Sequence, residues 1–217
     1  MRSYVAVQAV RASCAVALCG AVVLSACGGG AHYAQVPARL QVAPYGRVAI
    51  VTFATDRSGD SLEALATRHF AEALLASQSN VELLELGPAD STVRRVGAAG
   101  DAAALAQALG KDRNVSAVFL GNLKMSSVKP RGVVANVRDL RVGAEVSGQL
   151  TVSLVNASTG GTVWRSSAMA SRTVGRVALA DAHPSVAVRD PNDAYGEIVR
   201  ELVAGVTHDL RPTWVRQ

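Results

Sequence analysis

Two short motifs in the chain contain the residue types of a serine hydrolase. The first is Gly-Asp-Ser-Leu at residues 59–62, and the second is Asp-Ala-His-Pro at residues 181–184. In a catalytic triad the histidine accepts the proton of the serine hydroxyl, while the aspartate orients the imidazole ring. Ser61, His183 and Asp181 are therefore the residues that could attack an ester.

The spacing of these motifs argues against that chemistry. They resemble the signature of the GDSL esterase and lipase family, in which two residues separate the aspartate from the histidine, but only Ala182 stands between them here. Seven residues also lie between Phe53, at the end of the first predicted strand, and Ser61. We therefore predict no catalytic residue, and we interpret Asp60 with Glu63 as a capping box that opens a helix near Ser61.

Cys27 has a different chemistry because of the residues that precede it. Residues 12–24 form a run of thirteen almost wholly apolar residues behind two arginines, which is typical of a secretory signal peptide. At about 1.5 Å per residue, this run makes about 20 Å of helix, which is too short for a hydrocarbon core of about 30 Å. Residues 24–27, Leu-Ser-Ala-Cys, resemble the bacterial lipobox, whose cysteine thiol receives a diacylglyceryl group. We therefore predict a signal peptide over residues 1–26 and a lipidated Cys27 with palmitate-type acyl chains.

Removal of the signal peptide changes the composition of the mature chain. Cys14 and Cys19 leave with it, and lipid occupies the remaining sulfur, so no disulfide is expected. The whole chain has 22 basic and 17 acidic residues, and the loss of Arg2 and Arg11 leaves 20 against 17, a net charge of +3. This weak balance argues against a nucleic-acid partner. Three acyl chains hold a protein firmly to its membrane, and Gly28 after the cysteine favours the outer membrane, with the domain facing the periplasm.

No cofactor site and no metal site is predicted. The loop after the first strand, residues 54–60, lacks the glycine patterns that bind phosphate and contains two aspartates that would repel an anion. The four histidines are scattered along the sequence, without a second ligand at zinc spacing. Two basic stretches, Arg94-Arg95 and a predicted loop over residues 124–131, are interpreted as solvated charge.

The first half of the chain after the anchor alternates strands and helices. Residues 28–46 are rich in glycine, alanine and proline, so we predict a lipidated N-terminus with a flexible tether over residues 27–46 and one α/β domain over residues 47–217. Strand-like runs occur at residues 47–53, at residues 80–86 and from Val115. Helical patterns occur at residues 61–77 and, after a loop, at residues 101–109, where Gly110 is the expected stop. This order predicts a βαβαβ unit with parallel pairing.

The second half predicts a long hairpin and a closing helix. Residues 142–154 alternate apolar or small with polar side chains, and residues 162–174 return after a turn, which predicts an antiparallel hairpin with one solvated face. Such a strand is long enough to cross an outer membrane, but without aromatic girdles a sheet packed under helices is the simpler interpretation. A loop is predicted over residues 181–191, where Asp190 and Pro191 cap a helix whose apolar stripe extends from Tyr195 to Leu210.

These pieces resemble a family of bacterial outer-membrane lipoproteins with a TolB-N-terminal-like α/β domain, which includes the curli-secretion protein CsgG and the penicillin-binding-protein activator LpoB. The resemblance depends on the lipobox, the first strand VAIVTF at residues 48–53, the strand SAVFLGNL at residues 116–123 and the hairpin at residues 150–168. It implies an α/β (α+β) fold with a mixed sheet flanked by helices, no active site, and contacts with envelope proteins. A homo-oligomer, a CsgG-like export component and, more remotely, a GDSL-type esterase stay open.

Overall fold

The computed structural model describes residues 33–56, 61–88, 90–96, 101–136, 139–180, 183–188 and 190–216. The chain divides into two compact units. The main unit covers residues 37–213, and a smaller one joins the N-terminal segment ending at Val36 to the C-terminal segment that begins at Trp214. The predicted signal peptide, Cys27 and Asp60 lie outside the described residues.

Ten strands and four α-helices are assigned along the described ranges. The strands are β1 (Tyr33–Val36), β2 (Arg47–Val51), β3 (Ala54–Thr55), β4 (Glu82–Leu86), β5 (Ala117–Met125), β6 (Lys129–Asn136), β7 (Asp139–Asn156), β8 (Thr162–Ala180), β9 (His183–Val188) and β10 (Thr213–Arg216). The helices are α1 (Leu62–Ser77), α2 (Ser91–Val96), α3 (Ala102–Arg113) and α4 (Pro191–Val206), with 3-10 turns at Ala43–Tyr45 and His208–Leu210. Within these ranges, no helix is both long and apolar enough to cross a bilayer.

One mixed sheet of eight strands organises the main unit. Its strands follow the order β4, β2, β5, β7, β8, β9, while β3 pairs with β5 and β6 pairs with β7 beside this path. β2 pairs in parallel with both β4 and β5, as the strand and helix order predicted, because each helical crossover returns the chain to the same end of the sheet. The later strands pair antiparallel. The predicted α/β (α+β) fold is therefore confirmed.

Strand β2 is buried on both faces, which places it at the centre of the fold as predicted. Val48 and Ile50 are fully buried in a cluster with α1 and α4. Ala49 and Val51, which point to the other side of the sheet, face a second, smaller cluster under α3. Four rings of the first cluster follow one another edge to face, with successive centroids 5.5, 5.2 and 6.3 Å apart: Phe53, Phe70, Phe119 and Trp164. Helices therefore cover both faces at this end of the sheet.

The predicted hairpin and closing helix are both present. The hairpin strands β7 and β8 extend further than the alternating pattern indicated. The Asp190 carboxylate accepts a hydrogen bond from the Asn192 amide at 2.8 Å, which confirms the predicted cap of α4. All members of the predicted apolar stripe are buried: Tyr195, Ile198, Val199, Leu202, Val203, Val206 and Leu210. The closing helix therefore docks on the sheet through this stripe.

Predictions of loops were wrong in three places. Residues 183–188 form β9 beside β8, and residues 129–131, the end of the predicted basic loop over residues 124–131, begin β6 beside β7. The predicted loop before α3 contains the short helix α2. Pro130 and Gly132 obscure the strand pattern of β6, but an edge strand tolerates proline because one row of its amides needs no partner. The long β7 supplies the pairing that local propensity does not.

The prediction that Gly110 stops the second long helix was also wrong. α3 continues to Arg113 and ends at Asn114, whose φ of 52° is left-handed. A Cβ on Gly110 would lie 2.8 Å from the Cβ of Ala157. The glycine therefore serves packing, because it lets α3 approach the turn between β7 and β8.

The C-terminal part of the predicted tether packs on the main unit. Val42 is fully buried, and its amide donates to Gln78 Oε1 at 2.9 Å. Gln78 Nε2 donates in turn to the carbonyl oxygens of Leu40 and Leu210, at 3.1 and 2.7 Å. Leu40 and Val42, which belong to the predicted tether, are therefore bonded to Gln78 at the end of α1.

Candidate functional site

The residues of the two hydrolase-like motifs are only partly described. Ser61 is an exposed residue that precedes α1, and no hydrogen bond from its side chain caps the helix. The backbone of His183 begins β9, at the edge of the sheet opposite to β4. Asp60 and Asp181 lie outside the described residues, so the capping box of Asp60 stays a prediction.

The described histidines have separate surroundings. His69 Nδ1 lies 3.1 Å from Glu72 Oε2 on α1, and His208 belongs to the second 3-10 turn. Among the residues that the structure describes, no group of three His, Cys, Asp or Glu side chains converges as metal ligands would. His69 is half-buried and His208 is exposed.

Helix α4 covers one face of the β7–β8 hairpin at close range. A Cβ on Gly148 of β7 would lie 2.9 Å from Cγ2 of Ile198, and a Cβ on Gly205 of α4 would lie 2.7 Å from the Cβ of Ala168. Small residues on both elements therefore set the short distance between helix and sheet. This packing explains why the predicted apolar face of the hairpin includes a glycine.

The opposite face of the same hairpin is largely exposed. The cluster under α3 lies on that side of the sheet, and Val155, near the end of β7, is the hairpin residue that belongs to it. We call the remaining surface the open face; it consists of Ser147, Gln149 and Thr151 of β7 and Ser167, Met169 and Ser171 of β8. Its hydroxyl groups pair across the strands, with Thr151 Oγ1 2.8 Å from Ser167 Oγ. The open face is therefore a polar surface that contains one large apolar side chain.

Met169 is that apolar side chain, and it is 76% exposed. It lies opposite Gln149 in the β7–β8 register. Together with Asp56, Lys124 and Ser126 it lines a groove of about 520 Å³. Methionine is flexible and polarisable, so it adapts its shape to a partner surface. The groove offers a charge of each sign, hydroxyl groups and an apolar contact, which is the mixture found at protein interfaces.

Strand β8 has a free edge beside the open face. β7 pairs with β8 along nearly its whole length, whereas β9 pairs with it only from Gly175 to Ala180. As far as the chain is described, residues 162–174 therefore have a paired strand on one side only. We call this segment the β8 edge. An exposed edge presents backbone amides and carbonyls to which another strand can add.

Arg95, predicted to be a solvated charge, belongs to an ionic network that joins α2 to α3. Arg113 Nη2 donates to Asp90 Oδ2 at 2.6 Å, and Arg95 Nη2 lies 3.5 Å from Asp112 Oδ1. Burial raises the pKa of Asp90, but the amide of Thr92 and the charge of Arg113 together outweigh it and lower that pKa. The hydroxyl of Thr92 donates to Asp112 and is the main cause of the lowered pKa of Asp112. The network therefore links two helices of the main unit.

The fold is thus an open mixed sheet with helices on both faces. A scan against protein-family models and a search of curated proteins each find no match. Among solved structures, the chain is similar to the PelC dodecamer from Paraburkholderia phytofirmans, at 17% identity and a TM-score of 0.45, over 86% of this chain and 99% of that one. It is similar to the LpoB C-terminal domain from Escherichia coli at 18% identity and a TM-score of 0.37, over 58% and 84% of the two chains. Lipoprotein GNA1162 from Neisseria meningitidis is 14% identical with a TM-score of 0.37, over 59% and 83%.

Proposed function

We propose that the chain is a non-catalytic interaction or assembly module of the bacterial cell envelope. Acyl chains on Cys27 hold it at the outer membrane, with the folded domain facing the periplasm. The lipobox at residues 24–27 supports the anchor. The observation that carries the interaction role is the β8 edge, which adjoins the open face and the exposed Met169.

The β8 edge suits the addition of a partner strand. Alternate residues of an edge direct their backbone groups outward, so a segment of this length offers several amide and carbonyl pairs. Each backbone hydrogen bond makes a net contribution of about 1 kcal/mol to the binding free energy. Burial of one methionine side chain contributes about 1.5–3 kcal/mol. Strand pairing would therefore provide most of the affinity, and the open face would provide the selectivity between partners.

Photocrosslinking in the native cell tests this proposal. A photoreactive residue at Ser167 or Met169 is expected to capture a partner, while the same residue at Leu75, which is 50% exposed on α1, is expected to capture little. A product of twice the chain mass identifies a second copy as the occupant, and any other mass identifies a different envelope protein. Equal or absent capture at the three positions would contradict a role for the β8 edge.

The anchor has its own test. Cys27→Ser should yield uncleaved or mislocalised precursor, because no thiol is present to receive the diacylglyceryl group. The measurement is the intact mass of the chain together with its distribution between membrane fractions. Unchanged outer-membrane fractionation of the variant would refute the lipidation at Cys27.

Two other functions predict different results. An export component built as a ring of copies predicts a large mass in detergent and ion conductance across a planar bilayer. An esterase predicts cleavage of a nitrophenyl ester that disappears in Ser61→Ala. We expect neither result, and each assay can be performed on the purified lipoprotein.

A further inference from the structure

The smaller unit of the chain exposes apolar side chains on both of its strands. β1 and β10 pair as a two-stranded sheet, which we call the terminal ribbon. Its exposed apolar side chains are Tyr33 (60%), Val36 (43%), Trp214 (64%) and Val215 (50%). Two strands alone are marginally stable in water. Neighbouring side chains of a strand point to opposite faces, so Trp214 and Val215 lie on different faces of the ribbon. The ribbon therefore gains stability when an apolar phase covers either face.

We propose that the terminal ribbon lies on the membrane to which Cys27 is anchored, with Tyr33 and Trp214 at the level of the lipid headgroups. This inference rests on the lipidation proposed above. It adds a second point of attachment, in which the folded chain itself contacts the bilayer. The interaction surface on β8 belongs to the main unit and is a separate feature.

The short distance along the chain supports a lipid surface as the occupant. Five residues separate Cys27 from Tyr33, so their Cα atoms lie at most about 21 Å apart, at about 3.5 Å per residue. A linker of this length maintains an effective concentration in the millimolar range or above. A contact of only millimolar affinity is therefore sufficient to keep the ribbon on the bilayer for much of the time.

The chemistry of the ribbon also fits a lipid headgroup layer. Tryptophan and tyrosine concentrate at membrane interfaces because each has an apolar ring and one polar group. The eight residues of the two strands include one cation, Arg216, and no anion. Anionic headgroups are therefore attracted to the ribbon rather than repelled by it.

The two tryptophans of the chain allow a direct test with an internal control. Trp164 is half-buried in the main unit, where its ring packs against Phe119 and its Nε1 lies 3.4 Å from Asp209 Oδ2. The lipidated full chain is reconstituted into phosphatidylethanolamine and phosphatidylglycerol vesicles whose acyl chains contain bromine near the headgroup. We expect bromine to quench part of the fluorescence of the unmodified chain and this quenched part to vanish in Trp214→Phe. Trp164→Phe, which leaves Trp214 alone, should retain the quenching.

The outcomes separate this inference from the anchor on which it depends. If the chain has an acyl mass and sediments with vesicles, but Trp214 is unquenched, the ribbon inference is overturned and the anchor stands. Blue-shifted but unquenched Trp214 fluorescence indicates that protein covers the ribbon, and this overturns the inference too. A chain without acyl mass overturns the anchor, and with it the high local concentration that the ribbon needs. Loss of quenching in Trp214→Phe, with vesicle binding intact, is the supporting result.

Discussion

Gly205 of α4 lies so close to Ala168 of β8 that a Cβ on the glycine would be 2.7 Å from the Cβ of the alanine. On the same helix, a Cβ on Gly196 would meet nothing within 4 Å. The two glycines therefore have different consequences. Gly205 sets the distance between the helix and the sheet, while Gly196 only weakens the helix.

Alanine substitutions at these two positions should change stability in opposite directions. Gly196→Ala should raise the free energy of unfolding by up to about 1 kcal/mol, since alanine is the better helix former. Gly205→Ala gains the same propensity but forces α4 away from β8, and overpacking of this kind costs about 1–3 kcal/mol. We expect a net loss of about 1 kcal/mol. Urea unfolding measures both values, and equal stabilisation by the two variants would contradict the close contact.

The pair formed by Asp90 and Arg113 predicts sensitivity to acid. The pKa of Asp90 in the folded state lies below the ordinary value of 3.8. The resulting stabilisation is therefore fully present well above pH 3.8 and is lost as the pH falls through 3.8 toward the folded pKa. Asp112 contributes with the same sign, because its pKa is also lowered.

Asp90→Asn tests this pair without removing the helix cap. The asparagine oxygen can still accept from the amide of Thr92, but the charge that attracts Arg113 is gone. We expect the free energy of unfolding to fall by about 1 kcal/mol at pH 7 and its decline between pH 5 and 3 to become shallower. Asp101→Asn at the exposed cap of α3 is the matched control. An unaltered pH profile in Asp90→Asn would exclude a contribution of the Arg113 pair.

Local sequence patterns were sufficient to predict an element where the burial of its own side chains determines its pattern. The β2 run is apolar at consecutive positions because both its faces are buried, and α4 shows its stripe because one face docks on the sheet. The errors occurred where distant residues supply the partner. β6 and β9 form strands because β7 and β8 extend beside them.

The candidate site was only half visible in the sequence. Alternation along β7 predicted a polar face, and Ser147 and Thr151 do lie on the open face. Alternation cannot indicate whether a helix covers that face, because the position of α3 on the sheet is determined by its tertiary contacts. The length of the β8 edge depends on β9, which pairs with β8 only from Gly175 onward. The residues of β9 were predicted to be a loop, so the sequence could not indicate where the edge ends.

Gln78 should control the attachment of residues 37–46. Its side chain bonds Val42 N, Leu40 O and Leu210 O. The loss of three hydrogen bonds at about 0.5–1.5 kcal/mol each predicts destabilisation by about 1.5–4.5 kcal/mol. Gln78→Ala should therefore accelerate proteolysis and amide exchange in this segment. Gln107→Ala on α3 is the control, because it truncates a glutamine of another helix. Equal exchange rates in the two variants would show that the segment is retained by other contacts.

Met169 provides the last prediction, because its exposure separates a role in binding from a role in folding. Met169→Lys places a charge on the open face, where it must lose water when a partner strand covers it. Since the side chain is 76% exposed, the free energy of unfolding should change by less than about 0.5 kcal/mol. Crosslinking from a photoreactive residue at Ser167 should fall about tenfold, which corresponds to about 1.4 kcal/mol of binding. Leu75→Lys should alter neither quantity, and undiminished crosslinking in Met169→Lys would contradict burial of the Met169 side chain by the partner.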